Sequence, residues 1–323
     1  MKLNEIYKVI NKGKDLKKYK EFAWRKIYFQ IPADWNMALE SGSSKNGYFR
    51  VDDRYRPRLE IKWENIPFEK APQSRKIIEN FLEDFKKKIK KRKIKIDLKV
   101  VSIRELNVSG HEASLFYLKG VEDSLLISWY CEKEERGYIM QISFKSSEYN
   151  ELKKIINNIL SSIRCHFNEE YIPWILYGFK IKIPREYELI GRKFTSGFSY
   201  LDFQKKNFHI IFGYSSMANI LLEEYYKDIS DWYRNLFWKE TIKKIGSKFK
   251  VKYEKPEKTI INQHEAIIFN GASPGFLKRF KLYLRSFLWK CDIENRIYCF
   301  TTIHKGIETP KEFSSILISL KCH

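Results

Sequence analysis

Trp129-Tyr130-Cys131-Glu132, followed by Arg136 and Tyr138, comes back later as Trp289-Lys290-Cys291-Asp292, followed by Arg296 and Tyr298. The spacing is kept while the letters between change, so the 323-residue chain reads as a tandem duplication built around this hairpin. The pairing extends outward. Ile31-Pro32 answers Ile183-Pro184, Gly47-Tyr48 answers Gly197-Phe198, and Ser162-Ile163-Arg164-Cys165-His166 answers Ser319-Leu320-Lys321-Cys322-His323. Residues 1–23, with lysines scattered among apolar residues, read as a basic N-terminal helix or arm, 24–166 as the first repeat and 167–323 as the second.

Within each repeat the periodicity assigns the elements. Ile27, Phe29 and Ile31 alternate as in a strand, and short strands follow to Trp63. Ile77, Ile78, Phe81, Leu82, Phe85 and Ile89 fall on one helical face, as do Leu221, Leu222, Tyr225, Ile229, Trp232, Tyr233 and Leu236. Strands are predicted near 95–106, 111–118, 124–131 and 137–144, with counterparts near 248–261, 264–270, 281–291 and 296–303. A closing helix ends each half, striped by Leu152, Ile155, Ile156, Ile159 and Ile163 in the first and opened by Thr309-Pro310-Lys311-Glu312 in the second. The fold class expected is α+β: two tandem repeats, each an antiparallel meander sheet packed with two helices.

This element order, with Ile31-Pro32, Trp35 and Gly110-His111-Glu112-Ala113, resembles the PsbP-like superfamily, the fold of a photosystem II extrinsic subunit and of Ran-binding proteins. The resemblance covers each repeat separately and implies a binding module without catalysis. Two copies in one chain and the paired Cys/His residues depart from its usual pattern.

Sixty-one Lys and Arg against 40 Asp and Glu give a formal charge of +21, which suits a polyanion and equally suits a Lys-rich, thermophile-like composition. A content of 43% apolar residues excludes disorder, and five cysteines are too few for a secreted disulfide scaffold. With no apolar run near the ~20 residues that cross a bilayer, a cytoplasmic protein without a transmembrane segment is expected.

If β-strands around 111–118 and 124–131 turn near Val121, positions whose numbers sum to 242 are opposite, and His111 faces Cys131. A strand to Phe144 and a helix back at half the rise per residue then return Cys165 and His166 to the same end. His264, Cys291, Cys322 and His323 repeat the set. Plain packing, a Cys131–Cys165 disulfide and a zinc site all fit two thiols and two imidazoles. Cys299 has no counterpart and reads as core. Glu132 with Arg136, and Asp292 with Arg296, are expected as cross-hairpin ion pairs. Gly271-Ala272-Ser273-Pro274-Gly275 has the letters of a nucleophile elbow but reads as a hairpin loop. Lys86, Lys87, Lys88, Lys90, Lys91, Arg92, Lys93 and Lys95 form a basic run, either a solvated helix end or a phosphate-tracking ridge. The sequence therefore favours a non-catalytic binding or assembly module with a protein partner and no cofactor. The alternatives are a sequence-independent nucleic-acid binder and a metalloprotein with a Cys/His site in each lobe.

Overall fold

Strand β8 (Asp123–Cys131) is buried along its whole length, which requires both faces of its sheet to be covered. The computed structural model describes residues 19–93, 98–242, 251–273, 281–305 and 312–322. The chain divides into two units, the first running to Glu169 and taking in Pro173–Tyr177, the second holding Glu170–Ile172 and the chain from Gly178.

In the first unit β3 (Asn36–Gly42), β4 (Asn46–Asp52), β5 (Pro57–Asn65), β6 (Lys99–Val108), β7 (His111–Lys119), β8 and β9 (Arg136–Phe144) form one antiparallel sheet in the order β3-β4-β5-β9-β8-β7-β6. Ala113 pairs with Trp129, Ser114 with Ser128 and Leu115 with Ile127, the register that the sequence pattern predicts. On the even face of β8, Leu126 packs with Phe116 and Leu118 against Ile78 and Leu82 of the helix Ser74–Lys91. On the odd side stand the hairpin of β1 (Tyr19–Trp24) with β2 (Ile27–Pro32) and the closing helix Tyr149–Ser162, which buries Leu152, Ile155, Ile156 and Ile159. Tyr28 and Arg164 exchange backbone hydrogen bonds of 2.9 and 2.8 Å, so the chain leaving that helix is stitched to β2.

In the second unit β12 (Glu188–Phe194), β13 (Phe198–Lys205), β14 (Phe208–Ser216), β19 (Arg296–Lys305), β18 (Leu282–Cys291) and β17 (His264–Ala272) pair in that order, and both β15 (Lys252–Tyr253) and β16 (Glu257–Ile261) pair with β17. The aromatic segment expected as one helix is broken. Helical turns at 218–225 and 229–240 flank an extended Tyr226, and π-helical turns at Leu221–Tyr225 and Tyr233–Phe237 change the phase of the stripe. Core satisfaction accounts for this: Trp232 donates to Ser215 Oγ at 2.9 Å, and the Tyr233 and Ser286 hydroxyls bond at 2.7 Å, both buried.

The α+β expectation of a meander with two helices per repeat is corrected. Among the described residues strand makes up 52% and helix 25%, so sheet dominates. The physical reasons are local. Residues 19–23, expected in the arm, join Trp24 in the strand Tyr19–Trp24, which pairs with β2 and buries Phe22, Ala23 and Trp24, and the second unit's long helix is interrupted. Residues 1–18 of the expected arm and Thr309-Pro310-Lys311 of the expected helix start lie outside the described residues.

The closing helix of the first unit is anchored at its start by charge. Arg58 Nη1 donates to Glu148 Oε2 at 2.9 Å, and the same oxygen accepts the Lys145 backbone N–H at 2.9 Å. The hydrogen bond from Arg58 lowers the Glu148 carboxyl from 4.5 to about 2. A depressed carboxyl contributes stability above its unfolded value and loses it as pH falls through its folded value. Urea unfolding should therefore show this contribution intact above about pH 4.5 and draining toward pH 2, with Glu148→Gln costing about 1–3 kcal/mol at pH 7. In that variant the loss between those pH values should be shallower.

Candidate functional site

A two-residue turn places the first histidine. Ser109 and Gly110 have φ of 55° and 88°, the left-handed pair that a type I′ hairpin requires, and Asn107 Oδ1 accepts the Gly110 N–H at 2.9 Å. His111 follows directly and is 8% exposed. Cys131 ends β8, paired with Arg136 of β9. From the other layer, the Cys165 N–H donates to Ser109 Oγ at 3.3 Å, so the turn that sets His111 also receives the end of the closing helix.

Four side chains then converge. His166 Nδ1 lies 3.2 Å from His111 Nε2, 3.6 Å from Cys131 Sγ and 3.7 Å from Cys165 Sγ. All four heteroatoms are within 4.8 Å of one another. Both thiols are free and fully buried. Their hydrogen bond to each other raises the Cys131 thiol, with burial adding to the effect, and lowers the Cys165 thiol, so Cys165 is the one that carries negative charge more readily. Burial, and then the neighbouring His166, lowers His111, which favours a neutral imidazole. Trp129 Nε1 is buried without a hydrogen-bond partner of ordinary length, yet its N–H dipole is directed at Cys165 and helps lower that thiol.

The second unit has the corresponding parts. Asn262 and Gln263, with φ of 49° and 67°, turn the chain into His264, and Asn262 Nδ2 donates to the Leu320 carbonyl at 2.7 Å. Cys322 Sγ lies 3.3 Å from His264 Nε2, and these two with Cys291 are mutually within 4.8 Å. Burial and the adjacent Cys291 raise the Cys322 thiol to about 11, and Trp289 Nε1 is buried in the position Trp129 has in the first unit. His323 lies outside the described residues. Cys299 is core, with its sulfur 3.2 Å from Thr301 Oγ1.

The expected hairpin ion pairs are replaced by other contacts. Arg136 is buried and donates to Asn65 Oδ1, the Arg25 carbonyl and the Ser44 carbonyl at 2.8–2.9 Å, because three segments leave acceptors there that water cannot reach. Arg296 lies over the Tyr214 ring at 4.3 Å and meets Glu294 at 3.4 Å, while Asp292 pairs with Lys290 at 2.8 Å. Of Gly271-Ala272-Ser273-Pro274-Gly275, the first two residues end β17, Ser273 Oγ accepts the Leu282 N–H at 3.0 Å, and Pro274 and Gly275 lie outside the described residues.

The basic run is a helix end. Lys86, Lys87, Lys88, Lys90, Lys91, Arg92 and Lys93 are all exposed on the last turns of Ser74–Lys91 and just beyond it, where cations complement the helix dipole; Lys95 lies outside the described residues. Sequence reasoning missed the neighbouring surface. Strand β6 is the last strand of its sheet, and Val100, Val101 and Ile103 are 48%, 53% and 41% exposed. The signal was available in the Val-Val-x-Ile run beside charged residues, but its edge position depends on the strand order.

No protein-family model and no curated protein matches the sequence. Among solved structures, the chain is similar to the cyanobacterial PsbP protein CyanoP of Synechocystis, 12% identical over 47% of this chain and 95% of that one, TM-score 0.37. It is similar also to the type VI secretion immunity protein TplEi of Pseudomonas aeruginosa in complex with an "L" peptide, 9% identical over 94% and 98% of the two chains, TM-score 0.32. A third match is the Tle4–Tli4 complex, 8% identical over 94% and 97%, TM-score 0.35. At these scores the likeness bears on neither partner nor activity.

All five cysteines are buried. In the native protein, alkylation at pH 7 should be on the order of 100-fold slower than in denaturant, where five thiols react. Fast native labelling of Cys131 or Cys165 would mean the cluster opens to solvent.

Proposed function

We propose that the chain is a non-catalytic binding or assembly protein of two PsbP-like units derived by duplication, and that the first unit takes an extended acidic segment of a partner protein along β6. The duplication draws support from the shared strand order, β3-β4-β5-β9-β8-β7 against β12-β13-β14-β19-β18-β17, and from the matched turns before His111 and His264. The observation that carries the binding reading is β6 itself. Among the described residues it pairs only with β7, so one edge of its backbone groups is open to a further strand. A bulge between Val100 and Ser102 interrupts the ladder, leaving Ser102–Val108 as the regular stretch. Val100, Val101 and Ile103 supply apolar anchors, and the Lys86–Lys93 cations precede the strand closely in sequence, which sets the partner's charge as negative.

The test compares a synthetic peptide of alternating Glu and Val, its Lys-for-Glu counterpart and a single-stranded oligonucleotide by calorimetric titration. The acidic peptide should bind, the basic one should not, and Val101→Lys with Ile103→Lys should weaken binding by about tenfold or more without lowering Tm. Oligonucleotide binding that survives those substitutions and weakens when Lys88, Lys91 and Arg92 are reversed to Glu would replace this reading with the polyanion one. Failure of every probe at low salt would remove both.

A further inference from the structure

The first unit's four-residue cluster has a geometry that neither packing nor a disulfide explains. A histidine ring nitrogen has one hydrogen or one lone pair to offer, yet His166 Nδ1 faces three heteroatoms, at 3.2, 3.6 and 3.7 Å. A disulfide would engage the two sulfurs and leave the convergence of both imidazoles without cause.

We propose that the first unit binds one zinc ion through His111 Nε2, Cys131 Sγ, Cys165 Sγ and His166 Nδ1, as a closed structural site. Zinc–nitrogen bonds of about 2.0–2.1 Å and zinc–sulfur bonds of about 2.3 Å put tetrahedral vertices about 3.3 Å apart for N···N and about 3.6 Å for N···S. The edges from His166 Nδ1, 3.2 Å to nitrogen and 3.6 and 3.7 Å to sulfur, match that figure. The ion would occupy the centre that the four heteroatoms surround. Two thiols lose two protons on binding and their two negative charges neutralise Zn²⁺, so the site carries no net charge into a buried place. The buried Trp129 N–H, without an oxygen or nitrogen acceptor, is placed as an outer hydrogen bond to the Cys165 thiolate.

Sulfur and nitrogen in a tetrahedral set select zinc over oxygen-seeking ions such as Mg²⁺ or Ca²⁺. Four protein ligands leave no open position for a reacting water, which makes the role structural. The ion joins the β7 and β8 ends to the chain leaving the closing helix, opposite the end that Arg58 and Glu148 anchor. In the second unit three ligands are described, so the inference is confined to the first.

The full chain is purified under reducing conditions with Cys291→Ser and Cys322→Ser, to silence the second trio, and its metal is counted by mass spectrometry. One zinc per chain is expected. Replacement by cobalt should give thiolate-to-metal charge-transfer absorption and intense visible bands of a tetrahedral ion, both abolished by added zinc. His166→Cys should keep the metal and raise the charge-transfer intensity by about half, as two thiolates become three. Cys131→Ala with Cys165→Ala should lose it, and a chelator should lower the Tm of the parent but not of this variant. If the silenced background does not fold, the native chain serves, and Cys131→Ala with Cys165→Ala should lower its content by one equivalent. Absence of stoichiometric metal from reduced protein, metal retained without Cys131 and Cys165, or recovery of a Cys131–Cys165 disulfide from native protein would overturn the proposal.

Discussion

The register of β7 on β8 is the constraint on which the first unit rests. Because side chains alternate across a strand, a slip of one residue would send Leu125, Ile127, Trp129 and Cys131 to the opposite face and bring Leu126 and Ser128 to the face they left. Both faces of β8 are buried, so neither set tolerates the exchange. At the start of β7 the Ser109-Gly110 turn, whose left-handed backbone admits few residues, sets the next pairing, β6 on β7 with Val108 opposite His111, and the same turn receives Cys165. One local conformation thus determines the register of β6 on β7, the position of His111 and the landing point of the closing helix.

That helix is tied down at both ends by different chemistry. At its start, Glu148 is held by Arg58 and closes on the Lys145 N–H. At its exit, Arg164 pairs with Tyr28 and the next two residues enter the Cys/His cluster. A helix buried only on one stripe contributes packing energy without fixing its own axial position, since adjacent turns present similar surfaces. Polar anchors with short distance limits supply that precision. The second unit uses a variation on the same plan, with Asn262 in the turn holding the Leu320 carbonyl in place of a serine accepting an N–H.

Much of this was legible in the sequence because it depends on local periodicity and counting. Opposed numbers give the register of β7 and β8, and strand rise against helix rise brings Cys165 back to His111. What was not legible depends on segments far apart in the chain. Arg136 turns from Glu132 because Arg25 and Ser44 leave carbonyls beside it. The aromatic helix of the second unit breaks because Tyr233 and Trp232 must reach Ser286 and Ser215. Residues 19–23 look like part of a basic arm until their partner strand is known, and the exposure of Val100, Val101 and Ile103 follows from strand order alone.

If the converging cysteines and histidines are the ligand shell proposed for the first unit, and not a packed corner of the core, a bound ion must see both sulfurs and both nitrogens. X-ray absorption at the zinc edge measures that shell directly in the intact chain. Sulfur at about 2.3 Å and nitrogen at about 2.0 Å, with no vacant position, are expected. A shell of oxygen and nitrogen without sulfur, or protein with no zinc edge at all, would contradict it.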